Sequence, residues 1–306
     1  MITIKDVAKE CGVSIATVSR AFTADAVINA DTRQFVIETA ERLGYRPNVL
    51  ARGLKNSKTQ MVGMIIPSID NHFYLDVLKY IECELHNHGY RLTVSFIQHD
   101  VYNEKDALAT IEDSHVDVLI FSPRNTDNRD TIMRMNKNIQ MLQLFTAPYD
   151  EIPGIVMDDE YGTELAAEHL ISKGYRRILY IGGDERVDGY YKALANAGIA
   201  VDNSMVSLDW GITVAGAVDL IQKTSPSAIL GIARQAETAW RALTTLKNHI
   251  PFVAYDDVNW VKMLDITAIS HPLEEIAETV VNYIMKNETN VRKIIKPYLS
   301  ERSSSK

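Results

Sequence analysis

The sequence predicts a small α-helical head joined to a larger α/β body of two doubly wound parallel-sheet lobes. Three observations carry that expectation. The 306 residues are 46% hydrophobic and 24% charged, an ordinary globular balance with length for about two domains. Charge is unevenly placed: residues 1–58 carry a net +3 and the remainder a net −11, so an overall −8 hides a basic head on an acidic body. Such a head is a candidate polyanion binder. From residue 61 onward, apolar strand-like runs alternate with helical segments, the pattern of parallel sheets.

The head reads as three short helices. Thr3 can cap a helix over Ile4–Cys11, with Asp6 placed for a capping box. Gly12-Val13 breaks the chain, and Ser14 can cap a second helix over Ile15–Phe22. Asn29 can cap a third over Ala30–Leu43, which Gly44 stops. Val7, Ala8, Val13, Val18, Ala21, Val36, Ala40 and Leu43 form the expected core. A possible helix around Val49–Leu54 has nothing of its own to pack on and leads into a polar linker. In the body, strands are expected at 61–66, 91–97, 116–121, 140–145, 177–182, 227–232 and 251–255. Helices are expected at 74–88, 104–113, 127–137, 159–173, 187–197, 213–224, 235–247 and 272–286. Seven strand–helix units suit two lobes better than one. The tail, Ser300–Lys306, is expected to be disordered.

Several classes are excluded. The most apolar run, Met61–Pro67, is too short for a membrane span, and charges stand where a signal peptide would be apolar. A cytoplasmic protein without a membrane partner is expected. Two cysteines, Cys11 and Cys83, are too few for a disulfide framework. The eight histidines are scattered, Gly182-Gly183 lacks the rest of a dinucleotide fingerprint, and no nucleophile elbow exists. The adjacent pairs Asp158-Asp159 and Asp256-Asp257 should diverge rather than act as an acid/base couple. No enzyme activity, cofactor or metal is expected.

The order Ile4-Lys5-Asp6-Val7-Ala8-Lys9, Gly12-Val13-Ser14, Ala16-Thr17-Val18-Ser19-Arg20 is a helix-turn-helix pattern. Together with TRQFVIETAERLGYRPNVLARGLK and MVGMIIPSIDNHFY, it resembles the lactose-repressor (LacI/GalR) family over nearly the whole chain. The resemblance implies that Ile15 and Ala16 face base edges, that Arg20 reads guanine, and that Thr17 and Ser19 touch phosphate. The alternative is that Thr17, Ser19 and Arg20 are merely a solvated face. Thr3, Ser14 and Asn48 join the implied DNA contacts. Pro47–Lys55 matches the family's hinge helix, in which paired hinges push a leucine, here Leu54, into the minor groove. Ala51 is small enough to let two hinges approach. A flexible linker with Leu54 packed on the body is the competing reading.

The body resembles the family's two-lobed, periplasmic-binding-protein-like effector domain, whose ligands bind at strand carboxyl ends between the lobes. The resemblance implies effector contacts from Asp70, Asn71, Phe73, Tyr74, Arg186 and Asp256; Arg124 and Phe145 are added by strand-end position. Phe73 and Tyr74 can equally be core, and Arg186 with Asp256 a structural salt bridge. Trp210 can stack on ligand or on the protein. The chain departs from the family pattern at the trimmed loop around Gly183–Arg186, at Ala233-Arg234-Gln235 and between Leu243 and Ile250. Arg234 can favour a charged ligand or be a surface arginine.

The expected division is a DNA-binding head over 1–45, a hinge and linker over 46–59, an effector-binding and dimerisation domain over 60–300, and a disordered tail over 301–306. Lobe 1 would take about 60–148 and 271–296, lobe 2 about 149–270. The expected function is a repressor: a homodimer on a palindromic operator of double-stranded DNA, controlled by a small effector, a sugar or sugar phosphate first. A purine or nucleoside effector, or a catabolite-type regulator controlled by a protein partner, are the alternatives. A solute-binding protein is disfavoured by the head.

Overall fold

A computed structural model describes residues 2–23, 26–45, 59–97, 104–124, 126–183, 186–286 and 292–306. The chain divides into two compact units, Met1–Gln60 and Met61–Lys306. The expected hinge, with Asn48, Ala51 and Leu54, lies outside the described residues.

The head holds helices α1 (Ile4–Cys11), α2 (Ile15–Ala21) and α3 (Ala30–Leu43). Their ends are set by local chemistry. The Thr3 N–H and Oγ1 both donate to Asp6 Oδ2, at 2.8 and 2.7 Å. Gly12 takes φ 63°, a left-handed conformation in which a side chain is strained, and so ends α1. Asn29 Oδ1 accepts the N–H groups of Asp31 and Thr32. Val7, Ala8, Val18, Ala21, Val36 and Ala40 are buried together, while Val13 and Leu43 pack half-buried against them.

Among the described residues the body has two six-stranded sheets. The first comprises β1 (Met61–Ile66), β2 (Arg91–Phe96), β3 (Val118–Phe121), β4 (Gln140–Phe145), β5 (Gly154–Met157) and β11 (Arg292–Ile295). Their spatial order is β11-β5-β4-β3-β1-β2, and all pairs are parallel. The second comprises β6 (Ile178–Ile181), β7 (Val206–Ser207), β8 (Ala228–Ile232), β9 (Phe252–Tyr255), β10 (Thr267–Ser270) and β12 (Tyr298–Ser300). Its order, β12-β10-β9-β8-β6-β7, repeats the first, except that β12 runs antiparallel to β10. Parallel neighbours need covering crossovers. These are supplied by α4 (His72–Asn87), α5 (Glu104–Asp113) and α6 (Arg129–Met135) in the first lobe. In the second, α7 (Asp159–Ser172), α8 (Val187–Asn196), α9 (Val214–Thr224), α10 (Ala233–Leu246) and the short α11 (Asn259–Met263) do the same. Helix α12 (Leu273–Lys286) returns to the first lobe, where Tyr283 Oη donates to Met141 O at 2.8 Å. Helices α7 and α8 approach so closely that a Cβ at Gly189 would lie 2.1 Å from Glu160 O.

Three expectations need correction. Five strands were not anticipated: β5, β7, β10, β11 and β12. None is longer than four residues, too short to show a period, and β11 opens on Arg-Lys. The first-to-second lobe boundary falls after β5, at Met157, not at 148, because Gly154–Met157 pairs in register with β4 and β11. The tail is ordered. Ser303–Ser305 forms a turn of 3₁₀ helix, and Ser305 is fully buried. Ser305 Oγ lies 2.8 Å from His169 Nε2 and 2.7 Å from Thr267 Oγ1. Polar partners replace the apolar contacts that the tail lacks.

Candidate functional site

Two surfaces carry chemistry. On the head, Ser14 Oγ accepts the Thr17 N–H at 3.1 Å, starting α2 and fixing the face it presents. Val18 and Ala21 are buried. The other side of α2 shows Ile15, 45% exposed, with Ala16 and Arg20 exposed and Thr17 and Ser19 half-buried. The sequence did not single out Arg33 on α3. Its guanidinium donates to Ala21 O and Thr23 O at 3.2 and 2.8 Å and to Ala26 O at 2.8 Å, so it pins the C-terminal end of α2.

In the body, the carboxyl ends of the strands of the two sheets line a narrow pocket. The first lobe contributes Asp70, Asn71 and His72; the second contributes Ala233, Arg234, Glu237, Tyr255, Asp256, Val258 and Trp260. Two lining residues, Ala233 and Asp256, have left-handed backbone, with φ of 48° and 82°, and Phe145 at the end of β4 has φ 72°. Left-handed backbone at a non-glycine residue costs about 1–3 kcal/mol and persists where the surroundings impose it. Asn71 caps α4, its Oδ1 accepting the Phe73 N–H at 3.0 Å.

Asp256 is buried. Its Oδ1 faces His271 Nε2 at 3.3 Å, and the two side chains are only 3% and 2% exposed. Asp256 Oδ2 and His271 Nδ1 have no hydrogen-bond partner. An imidazole N–H donated from Nε2 would leave Nδ1 an acceptor.

The resemblance implies an effector contact from Arg186, which does not line the pocket. Its Nε lies 3.1 Å from Asp159 Oδ2, and its guanidinium stands 4.8 Å from the Tyr255 ring centroid. The Tyr255 hydroxyl donates to Asp159 Oδ1 at 2.8 Å. Burial works against the Arg186 charge, but the carboxylate of Asp159, with Tyr255 and Asp256, more than offsets it, holding the guanidinium pKa well above its usual value. Burial pushes the Tyr255 phenol up as well, and Asp159 adds to that. The ion pair of Arg186 is therefore with Asp159 and not with Asp256.

The aromatic candidates divide similarly. Phe73 is buried, 4.6 Å from the His271 ring and 5.4 Å from Phe145, with Tyr74 5.1 Å from Phe145. They form a packed cluster beside the pocket and do not line it. Arg124 is exposed, its backbone N–H donating to Glu104 Oε1 at 3.2 Å, and it lines no part of the pocket. Trp210 stacks on the protein: a Cβ at Gly183 would meet its ring at 1.9 Å, which only glycine avoids. Arg234 Nη2 and Gln235 Nε2 donate to Trp210 O at 2.8 and 2.7 Å. The sequence missed Tyr255, Trp260, Glu237 and His271. His271 follows β10, and recognising that strand would have placed it at a strand end.

A helix-turn-helix head in one chain with a two-lobed, strand-end cleft defines the class of ligand-responsive DNA-binding regulators. The chain belongs to the LacI family of bacterial regulatory proteins. Residues 3–48 match that family's head and residues 59–297 match the periplasmic binding proteins and sugar-binding domain of the LacI family. It is a transcriptional regulator. The HTH-type transcriptional regulator RegA of Clostridium saccharobutylicum is 33% identical over 219 residues, 68% of this chain and 65% of that protein. Catabolite control protein A of Priestia megaterium is 29% identical over 93% of this chain and 92% of its own. The ribose operon repressor of Escherichia coli is 27% identical over the full length of both. The crystal structure of the Lac repressor dimer bound to operator and the anti-inducer ONPF shares the fold, with TM-score 0.82, 23% identity and 99% of both chains covered. Among the described residues no helix is long and apolar enough to cross a membrane.

Proposed function

We propose that the chain is a repressor that binds a palindromic operator as a homodimer and responds to a small molecule in the cleft between its lobes. The observation that carries this reading is the α2 surface: Ile15, Ala16, Thr17, Ser19 and Arg20 on one side of a helix whose other side, Val18 and Ala21, is buried. Such a face suits a major groove, with Arg20 paired to guanine O6 and N7 and Thr17 and Ser19 on phosphate. One head offers few base contacts, so two half-sites and a dimer follow. Asn48, Ala51 and Leu54 are assigned to the operator centre by resemblance. The cleft residues Asp70, Asn71 and Asp256 are the proposed effector contacts, and a hydroxyl-rich, carbohydrate-like ligand fits their acceptors and donors. The relatives' names include a ribose operon repressor, and a similar fold is seen in a transcriptional regulator CelR–cellobiose complex.

The test is selection of bound fragments from a random DNA pool at a fixed salt of ~150 mM, since phosphate contacts dominate non-specific affinity. The expected product is a palindrome with a guanine in each half-site and a deformable centre. Enrichment of a lone half-site would overturn the dimer, and no enrichment with or without cell extract would overturn sequence-specific repression.

A further inference from the structure

The cleft pocket holds more carboxylate than guanidinium. Asp70, Glu237 and Asp256 line it, and Arg234 is the one lysine or arginine among its described lining residues. Asp256 is 3% exposed, with Oδ1 toward His271 and Oδ2 unpartnered. A desolvated carboxylate oxygen is costly until a donor reaches it. The nearby cations face other groups: Arg186 Nε lies 3.1 Å from Asp159 Oδ2 with its guanidinium over the Tyr255 ring, Arg241 lies 3.9 Å from Glu237 Oε1, and Arg234 hands Nη2 to the carbonyl of Trp210. Tyr255 and Trp260 line the same pocket, and aromatic faces attract cations.

We propose that the cleft takes a small hydroxylated ligand bearing a protonated amine, with the ammonium group on Asp256 Oδ2 beside Tyr255 and Trp260. This rests on the reading of the cleft as the effector site and narrows the class of effector. An ammonium brings three donors and a positive charge to a pocket of acceptors. A phosphate brings only acceptors and sets its charge against the buried carboxylate of Asp256. A neutral sugar can satisfy Asp256 through a hydroxyl but gains nothing from the surplus negative charge.

The test is calorimetric titration of the full chain with glucosamine, galactosamine, glucose and glucose 6-phosphate, at pH 7 and fixed salt. An amino sugar should bind at least ~10-fold more tightly than glucose, as a charge-assisted bond to a buried carboxylate requires. Glucose 6-phosphate should bind most weakly. Asp256→Asn should reduce the preference for the amine over glucose to about twofold or less, by removing the charge-assisted partner. Glu237→Gln, on the less buried side of the pocket, keeps the test open should Asp256→Asn fail to fold; it should lower amine affinity by a larger factor than glucose affinity, and an equal loss of both would overturn the amine. Tighter binding of glucose or glucose 6-phosphate, lost in Asp256→Asn, would overturn the amine and leave the cleft as the effector site. Absence of binding by all four would overturn both.

Discussion

Arg33 belongs to the third helix, yet its guanidinium serves the second. Its donors reach Ala21 O at the end of α2 and Thr23 O and Ala26 O beyond it, tying that end of the helix to α3. Arg20 sits in the same stretch with its side chain exposed. Replacing the two arginines should therefore have different signatures. Arg20→Ala should cost ~1–3 kcal/mol of operator binding and relax one position of the site. Arg33→Met should cost about 2–3 kcal/mol of head stability, because several charge-assisted bonds go at once. It should weaken binding to every sequence alike. Binding to a panel of single-base operator variants separates the two; a relaxed single position in Arg33→Met would assign it to base reading. At this scale the head was largely legible. Thr3, Ser14, Asn29, Gly12 and Gly44 act through bonds to their own backbone neighbours, which sequence order alone specifies. Arg33 was not legible, because its partners lie seven to twelve residues away and are backbone carbonyls, which leave no mark in residue type.

The C-terminal segment is the element whose order the sequence concealed. It offers serines and charges and no apolar residue, so hydropathy argues for disorder. It is held instead at the starts of β9 and β10: Ser304 Oγ donates to Phe252 O at 2.6 Å, and Thr267 N–H donates to Ser304 Oγ at 2.9 Å. Arg302 forks onto Asp257 at 2.8 and 2.7 Å and also donates to Ile266 O. Breaking a largely buried pair leaves its partner charge uncompensated, which costs about 3 kcal/mol. Arg302→Ala should lower the stability of the body by that amount, measured by urea unfolding; a change under ~0.5 kcal/mol, the range of an ordinary surface substitution, would mean the tail is decoration. His169, against Ser305, adds a pH dependence. Burial lowers its pKa, with Glu301 opposing and Lys173 reinforcing the effect. The unfolded chain therefore takes up this proton at a higher pH than the folded one, so folding stability falls as pH drops below the ordinary histidine value of ~6.5. The wild-type melting temperature should rise between about pH 5.5 and 7.5, and His169→Gln should show a shallower rise. Identical slopes would remove His169 from the account.

Across the whole molecule, the two lobes repeat one strand order, and the chain passes between them three times: after Met157, between Ser270 and Leu273, and between Ile295 and Tyr298. The alternation of strands and helices made the doubly wound lobes legible. The crossings were not, since each is flanked by strands of three or four residues that carry no period. Yet the crossings position the site. Asp159 stands two residues past the first and holds Arg186 and Tyr255; His271 stands in the second and faces Asp256. A ligand bound at Asp256, as proposed, would therefore act on a residue of the hinge between the lobes, and its influence on DNA binding would travel through the relative position of the lobes. The strength of that influence is bounded by its differential affinity for the two arrangements, typically ~1–3 kcal/mol, a factor of about 5–150 in operator affinity. Linkage makes the effect reciprocal: saturating operator DNA must change the ligand's affinity by the same factor and in the same direction. Titrating ligand into free and operator-bound protein at one salt concentration measures one side of this square, and titrating operator with and without ligand measures the other. Substituting His271→Ala, which leaves Asp256 in place, should shrink both factors together. Unequal factors in the wild-type chain would mean that the two ligands do not act on one shared equilibrium, and an undiminished coupling in His271→Ala would place the hinge contact elsewhere.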